Sequence, residues 1–316
     1  RVWIDDKLVV SPELTGVTAA PPPGCNSGML AQPGHPVEVT FSDTKPHKVR
    51  IDYVRATEDR ASSFDWVAPP PVLRAQAVAA AKASDAVVAF VGLSPDLEGE
   101  EMKVDYPGFN GGDRTSLALP EAQQEMLEAV KATGKPLIVV YMTGGEISDP
   151  WVEAHADAVL QAWYPGVMGG QAIADTLSGK NNPSGRLPYT VYADVGELPP
   201  FEDYAMTGRT YRYFDGKVLH PFGQGLSYTT FAYADPALSA ASIKAGDALT
   251  ASVQVSNTGA RDGDEVVELY VRRPGAAGRP VLAGFARVAL KAGEHRTVSL
   301  PLDARALSQV DKDGNR

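Results

Sequence analysis

The sequence predicts α/β plus all-β architecture: a parallel α/β sandwich domain flanked by a partial β segment and an immunoglobulin-like β-sandwich. Three observations carry this. Residues 1–58 show the two-residue hydrophobic period of half-buried strands. From residue 72 apolar strands alternate with helices. From residue 231 strands follow one another between glycine-rich turns. A length of 316 residues fits two or three domains rather than one core.

Val2–Val10 reads as two short strands about the acidic turn Asp5-Asp6. Pro21-Pro22-Pro23-Gly24 is a loop, and Val37–Phe41 and His47–Tyr53 both alternate as strands do. Residues 59–71, ending in Pro69-Pro70-Pro71, read as a stiff linker. An alanine-rich helix over Val72–Lys82 leads into Ala86–Gly92, a continuous apolar run that predicts a strand covered on both faces. Pro120-Glu121 opens a helix that runs to about Thr133, where Gly134 ends it. Pro136–Tyr141 and Ala158–Trp163 are further strands, and Trp151–Ala156 and Gly169–Leu177 are helices. Strand and helix alternating at this spacing imply a parallel sheet with right-handed crossovers. Leu249–Val255, Glu265–Val271, Leu282–Val288 and Arg296–Leu300 are the strands of the final sandwich. It lacks a Cys–Trp–Cys signature, so the tie to immunoglobulin domains is one of architecture.

The 44% hydrophobic and 22% charged content is that of a globular protein. A net charge of −10 argues against nucleic acid or an anionic membrane as partner, whereas a neutral sugar polymer is indifferent to it. No apolar run reaches the roughly 18 residues of a membrane span. Cys25 is the sole cysteine, which excludes an intrachain disulfide and a thiolate metal cluster. The five histidines (His35, His47, His155, His220, His295) lack ligand spacing, so neither a metal site nor a cofactor is expected. The chain opens at Arg1 inside a predicted strand, and Asp311–Arg316 reads as a hairpin turn whose second strand lies beyond it. Both ends are those expected of a piece of a longer polypeptide.

In an open parallel sheet function gathers on the loops leaving the carboxyl ends of strands. The first such loop, Gly92-Leu93-Ser94-Pro95-Asp96-Leu97-Glu98-Gly99-Glu100-Glu101, holds four carboxylates within six residues. Crowded like charges and an apolar wall favour a protonated carboxyl, which a general acid needs. By residue chemistry alone, an ordinary solvated loop on an acidic protein fits as well.

That loop, together with Gly112-Asp113-Arg114 and Leu119-Pro120, resembles the sandwich domain of glycoside hydrolase family 3. So do Trp163-Tyr164-Pro165-Gly166 with Gly169-Gly170, and Asn182-Pro183-Ser184-Gly185-Arg186-Leu187-Pro188. Tyr211-Arg212-Tyr213-Phe214 and His220-Pro221-Phe222-Gly223-Gln224-Gly225-Leu226-Ser227-Tyr228-Thr229-Thr230-Phe231 are similar to the family's junction into a fibronectin-III-like domain. Residues 1–58 look like the tail of a PA14 domain, an insertion in part of the family. On this resemblance residues 72–230 are the sandwich domain, and residues 231–316 are a truncated fibronectin-III-like domain.

The resemblance implies a retaining β-glycosidase, periplasmic or secreted, releasing terminal glucosides or xylosides of oligosaccharides. Its aspartate nucleophile would lie in a (β/α)8 barrel preceding Arg1, and its acid/base glutamate on this chain. Retention needs the two carboxyls roughly 5–5.5 Å apart. The acid/base position falls on Glu98, with Glu100 the alternative, and the fragment alone is expected to be inactive. Residues 101–111 are an insertion relative to short-loop members, similar to the PA14-bearing branch with β-glucosidase and β-xylosidase activities. Tyr106 and Phe109 on it are candidate subsite walls, and Asp113 and Arg114 are expected to brace the loop through a salt bridge. Trp163 and Tyr164 offer rings to a sugar, although Trp163 ends a predicted buried strand; Phe214 and Tyr228 are expected to pack where the domains meet. Ser63-Phe64-Asp65-Trp66 is superficially similar to the family's nucleophile motif but precedes a proline linker with no barrel strand before it, and reads as a decoy. The sheet is expected to lack strands that precede the PA14 insertion, which would expose an edge. The alternatives are a non-catalytic carbohydrate-binding or scaffolding protein and, far behind, a nucleotide-binding α/β protein, whose phosphate-binding glycines are missing.

Overall fold

The computed structural model describes residues 1–11, 37, 39–52, 68–95, 97–102, 104, 106–308, 310 and 313–314. They fall into two compact units, Arg1–Leu73 and Arg74–Arg316. Pro21–Gly24, Cys25, the decoy Ser63–Trp66 and most of the terminal turn lie outside the described residues.

In the first unit β1 (Val2–Ile4) pairs antiparallel with β2 (Lys7–Val10) on one side and β3 (Val49–Ile51) on the other. Asp5 and Asp6 turn the hairpin with φ of 48° and 63°, a left-handed conformation that aspartate tolerates better than most residues. Asp5 also receives Lys48 N–H at 2.9 Å and contacts His47 Nδ1 at 2.6 Å, which ties the turn to the start of β3. Val2 and Ile4 point inward while their neighbours face out, as the period of two requires. Val37–Phe41 departs from expectation: its described residues form no strand, and Glu38 is not described. Alternation alone does not make a strand where no partner supplies the ladder.

α1 (Pro70–Lys82) begins before the boundary at Leu73 and runs into the second unit. Pro70 and Pro71, read from sequence as linker, are its first helical residues; proline suits a first turn because the missing N–H has no helical acceptor there. β4 (Val87–Gly92), β7 (Leu137–Met142) and β8 (Ala158–Gln161) form a parallel sheet in that order. α2 (Glu121–Lys131) and α3 (Pro150–His155) make the crossovers, and α4 (Gly169–Leu177) follows. Central β7 is buried along its length, and with Leu127, Val130 and Val152 it forms the core. β4 corrects the sequence reading: Ala89 and Val91 face that core, but Val88 and Phe90 are 43% and 57% exposed. Its apolar run is covered on one face because helix α2 packs on that face, and among the described residues β4 is an edge strand.

Between β4 and α2 lies a small hairpin of β5 (Phe109–Asn110) and β6 (Asp113–Arg114). After α4 come β9 (Val191–Tyr192), α5 (Thr210–Tyr213) and β10 (Val218–His220), with β9 and β10 antiparallel.

The final sandwich opposes two antiparallel sheets. β11 (Phe231–Leu238), β12 (Leu249–Asn257) and β15 (His295–Leu302) form one; β13 (Gly263–Val271) and β14 (Val281–Leu290) form the other. α6 (Ala304–Leu307) follows. Val255, Val267, Leu290, Val298 and Leu300 meet between the sheets. Asn257 is buried yet satisfied: Nδ2 donates to Arg261 O and Leu290 O, and Oδ1 accepts from Thr229 Oγ1 and Gly259 N. Phe214 is buried and Tyr228 OH donates to Thr176 O at 3.0 Å, so both expected joint residues serve packing or bonding between the α/β layers and their neighbours.

Candidate active site

Three loops leave the carboxyl ends of β4, β7 and β8 together, where open parallel sheets bind ligands. The first is held at its root. Gln123 on α2 clamps Gly92, accepting from its N–H and donating to its C=O, both at 2.8 Å. Leu97 and Glu98 N–H groups then converge on Ser94 O at 3.0 Å, closing a tight turn. Gly99 N–H donates to Gly112 O at 3.2 Å and Met102 N–H to Gly111 O at 2.9 Å, strapping this turn to the β5–β6 hairpin.

The strap ties the inserted residues 101–111 back to the turn that carries Glu98. Gly111 and Gly112 take φ of 63° and 92°, as a two-residue hairpin loop demands. A Cβ on Gly112 would lie 1.9 Å from Gly99 O, so only glycine lets the two segments meet. Asp96, Lys103 and Asp105 lie outside the described residues.

Glu98 is half-buried, whereas Glu100 and Glu101 are exposed. Arg114 on β6 faces Glu98. Burial lowers the Arg114 pKa, and the carboxylates of Glu98 and Glu146, with Tyr189 and Tyr164, act in the opposite sense. A guanidinium stays charged under such a balance. Arg114 Nη1 donates to the backbone carbonyl of Glu146. The expected Asp113–Arg114 brace is thus replaced: Asp113 is exposed, and Arg114 reaches the loop after β7.

That second loop brings Glu146. Its Oε1 accepts the Tyr192 N–H at 2.6 Å, and burial pushes its carboxyl up to about 7, against the pull of that hydrogen bond and of Arg114. Burial likewise pushes the neighbouring Tyr189 hydroxyl up to about 12. The third loop supplies Tyr164, 60% exposed, whose ring lies over Gly144; a Cβ there would come within 2.7 Å of Cε2. Trp163, left-handed at φ 57°, turns instead to meet Tyr189 edge-on, with ring centroids 5.3 Å apart.

Of the residues expected from sequence, Glu98 lies where its charge acts on Arg114. Tyr106 and Phe109 meet edge-on, centroids 6.1 Å apart, and Phe109 packs against the α/β core. Glu146 and Tyr189 were not anticipated. The signal for Glu146 is present in sequence: a carboxylate just after a buried strand, the same rule that selects Glu98.

Residues 14–228 match the family described as Glycosyl hydrolase family 3 C-terminal domain, and residues 265–316 match the fibronectin type III-like domain. The xylan 1,4-beta-xylosidase of Xylanibacter ruminicola is 44% identical over 243 residues, covering 76% of this chain and 28% of that protein. The periplasmic beta-glucosidase of Salmonella typhimurium is 41% identical over 272 residues, covering 81% of this chain and 34% of that protein. Among solved structures, the GH3 beta-glucosidase of Bifidobacterium adolescentis superposes with a TM-score of 0.67 at 32% identity, over 79% of this chain and 38% of that one. The chain spans about a third of the length of the curated relatives it matches.

Proposed function

Since the chain belongs to glycoside hydrolase family 3, we propose that it is the acid/base-bearing part of a retaining, exo-acting β-glycosidase that removes terminal glucose or xylose from β-linked oligosaccharides. Glu98 donates a proton to the leaving oxygen and then takes one from the attacking water. An aspartate on a (β/α)8 barrel elsewhere in the polypeptide attacks the anomeric carbon, with the two carboxyls roughly 5–5.5 Å apart. The observation that carries this reading is the placement of half-buried Glu98 on a strapped turn at the carboxyl edge of the sheet, beside Arg114. Glu100, two residues on and exposed, is the weaker candidate. Tyr106 offers a ring to the sugar, braced by Phe109 from the core side.

We read residues 1–58 as the end of a PA14-type β segment, a reading supported by the antiparallel order β2-β1-β3, with a linker over 59–71 whose last two prolines enter α1. Residues 72–230 form the sandwich domain and residues 231–316 the fibronectin-III-like domain. A periplasmic or secreted location fits the name of the Salmonella relative. Within the described residues no helix is long and apolar enough to cross a membrane.

The test uses the polypeptide that carries both this chain and a barrel. Glu98→Ala should cripple hydrolysis of alkyl glycosides while sparing activated aryl ones, with partial rescue by azide. Equal loss on both substrate types, without azide rescue, would refute the role given to Glu98. The 316-residue chain alone should hydrolyse neither substrate.

A further inference from the structure

A cavity of about 330 Å³ lies where the α/β layers meet the final sandwich, and none of its lining residues sits on the three loops of the candidate active site. The α/β side contributes Tyr211 on α5, Phe214 just after it and Val218 on β10; the sandwich contributes Tyr270 on β13 and Arg279 just before β14. The walls are preformed. Tyr211 stacks on Phe222 with centroids 4.2 Å apart and meets Tyr270 edge-on at 6.4 Å, while its hydroxyl accepts Leu282 N–H at 3.0 Å. Phe214 is buried and lies edge-on to Tyr192. The sandwich side is drawn in by Arg279 N–H, which donates to Arg212 O at 2.8 Å. A Cβ on Gly278 would come within 2.4 Å of the same oxygen, so the approach requires glycine there. A cavity of this size is at the small end for ligand sites and takes one ring.

Two polar groups of the lining are left poorly matched. Thr190 is 5% exposed, and its Oγ1 has no hydrogen-bond partner among the described residues, which native interiors rarely tolerate. Arg279 is half-exposed, and its Nη2 lies 3.9 Å from Oδ1 of an almost fully exposed Asp215, too far for a hydrogen bond. We infer that this cavity binds a single-ring aromatic carboxylate bearing a ring hydroxyl. The ring packs among Tyr211, Phe214 and Phe222, the carboxylate pairs with the Arg279 guanidinium, and the hydroxyl meets Thr190. Aromatic walls suit an offset or edge-on ring, and a guanidinium takes a carboxylate through two parallel N–H bonds. A sugar fits poorly, because it carries a hydroxyl on nearly every carbon. The Tyr211 and Tyr270 hydroxyls are already engaged, the second donating to Glu268 Oε2 at 2.7 Å, so most sugar hydroxyls would be buried unpaired. A purely apolar ligand would draw nothing from Arg279 or Thr190.

The test titrates 4-hydroxybenzoate, benzoate, 4-hydroxybenzamide and glucose into the polypeptide that carries both this chain and a barrel. Binding is read from the methyl resonances of Val218 and Thr190. 4-Hydroxybenzoate should move both resonances, and either Arg279→Gln or the uncharged amide should weaken binding about tenfold. Thr190→Val keeps the side-chain shape, and should erase the preference for 4-hydroxybenzoate over benzoate while leaving benzoate binding in place. Val218→Trp fills the cavity and should abolish binding of both acids. Unmoved resonances at about 10 mM 4-hydroxybenzoate overturn the inference, as do undiminished binding by Arg279→Gln and tighter binding of glucose. Should Val218→Trp fail to fold, Arg279→Gln and the amide decide, because a half-exposed side chain is replaced without opening the core. No part of this site uses Glu98, so the outcome is independent of the acid/base assignment.

Discussion

Arg186 Nη2 and Glu265 Oε2 lie 2.6 Å apart, with both side chains almost out of solvent, and join the Asn182–Pro188 segment to strand β13 of the final sandwich. Tyr233 OH donates to the other oxygen of Glu265 at 2.6 Å, so the carboxylate is satisfied from both sides. Around this pair Asn182 Oδ1 accepts from Ser227 Oγ and Tyr228 N, and its Nδ2 donates to Asp262 O. Removing one member strands a buried charge. Arg186→Met should cost about 3–5 kcal/mol in denaturant unfolding, and the double replacement Arg186→Met/Glu265→Leu should cost less than either single change. A neutral single replacement would show that the pair contributes nothing to the joint.

Gln123 reads the backbone of Gly92 with both ends of its amide, and so fixes the point where the Glu98 loop departs. Gln123→Leu preserves side-chain volume but leaves a buried N–H and C=O without these partners. We expect a loss of about 1–3 kcal/mol and faster amide exchange at Gly92 and Leu93. Exchange rates unchanged at both positions would remove Gln123 from the support of the loop.

The choice between Glu98 and Glu100 is decided by the same substrate pair. Loss of proton donation typically costs about 10²–10⁴ in rate on a poor leaving group. That loss should follow Glu98→Ala and spare Glu100→Ala, since Glu100 faces solvent. The reverse pattern would move the acid/base role by two residues.

His220 on β10 contacts Glu153 on α3 at 3.0 Å and Gln224 through its other nitrogen. The hydrogen bond to Glu153 raises its pKa, ahead of the opposing desolvation. A raised folded-state value means the stabilisation is complete below about pH 6.5, the ordinary histidine value, and fades as pH climbs through the folded value. The stability difference between wild type and His220→Gln should therefore be larger at pH 5.5 than at pH 8.5. Equal differences at the two values would show that the pair does not titrate with folding.

The layering was legible in the sequence because it is written in local periodicity. Apolar runs at strand length locate β4, β7 and β8, and the stretch Gly169–Leu177 coincides with α4. β11 escaped notice because nearly all of it is exposed and Pro236 interrupts it; the structure accommodates that proline on an edge strand, at a register shift between Ala234 and Ala237. The β5–β6 hairpin escaped because its strands are two residues each, too short for any period.

What the amino-acid order determined by itself is which segments become strands and helices, and that a carboxylate-rich loop leaves the first strand of the sheet. Tertiary structure decided which carboxylates share one environment. Glu146 lies 32 residues from Arg114, and no local pattern couples them. Only the parallel pairing of β4 with β7 brings the two loop roots side by side, and only burial there gives their charges a medium in which they influence each other. The exposure of Val88 and Phe90 has the same origin: hydrophobicity is a property of residues, whereas coverage depends on which helix packs against which face.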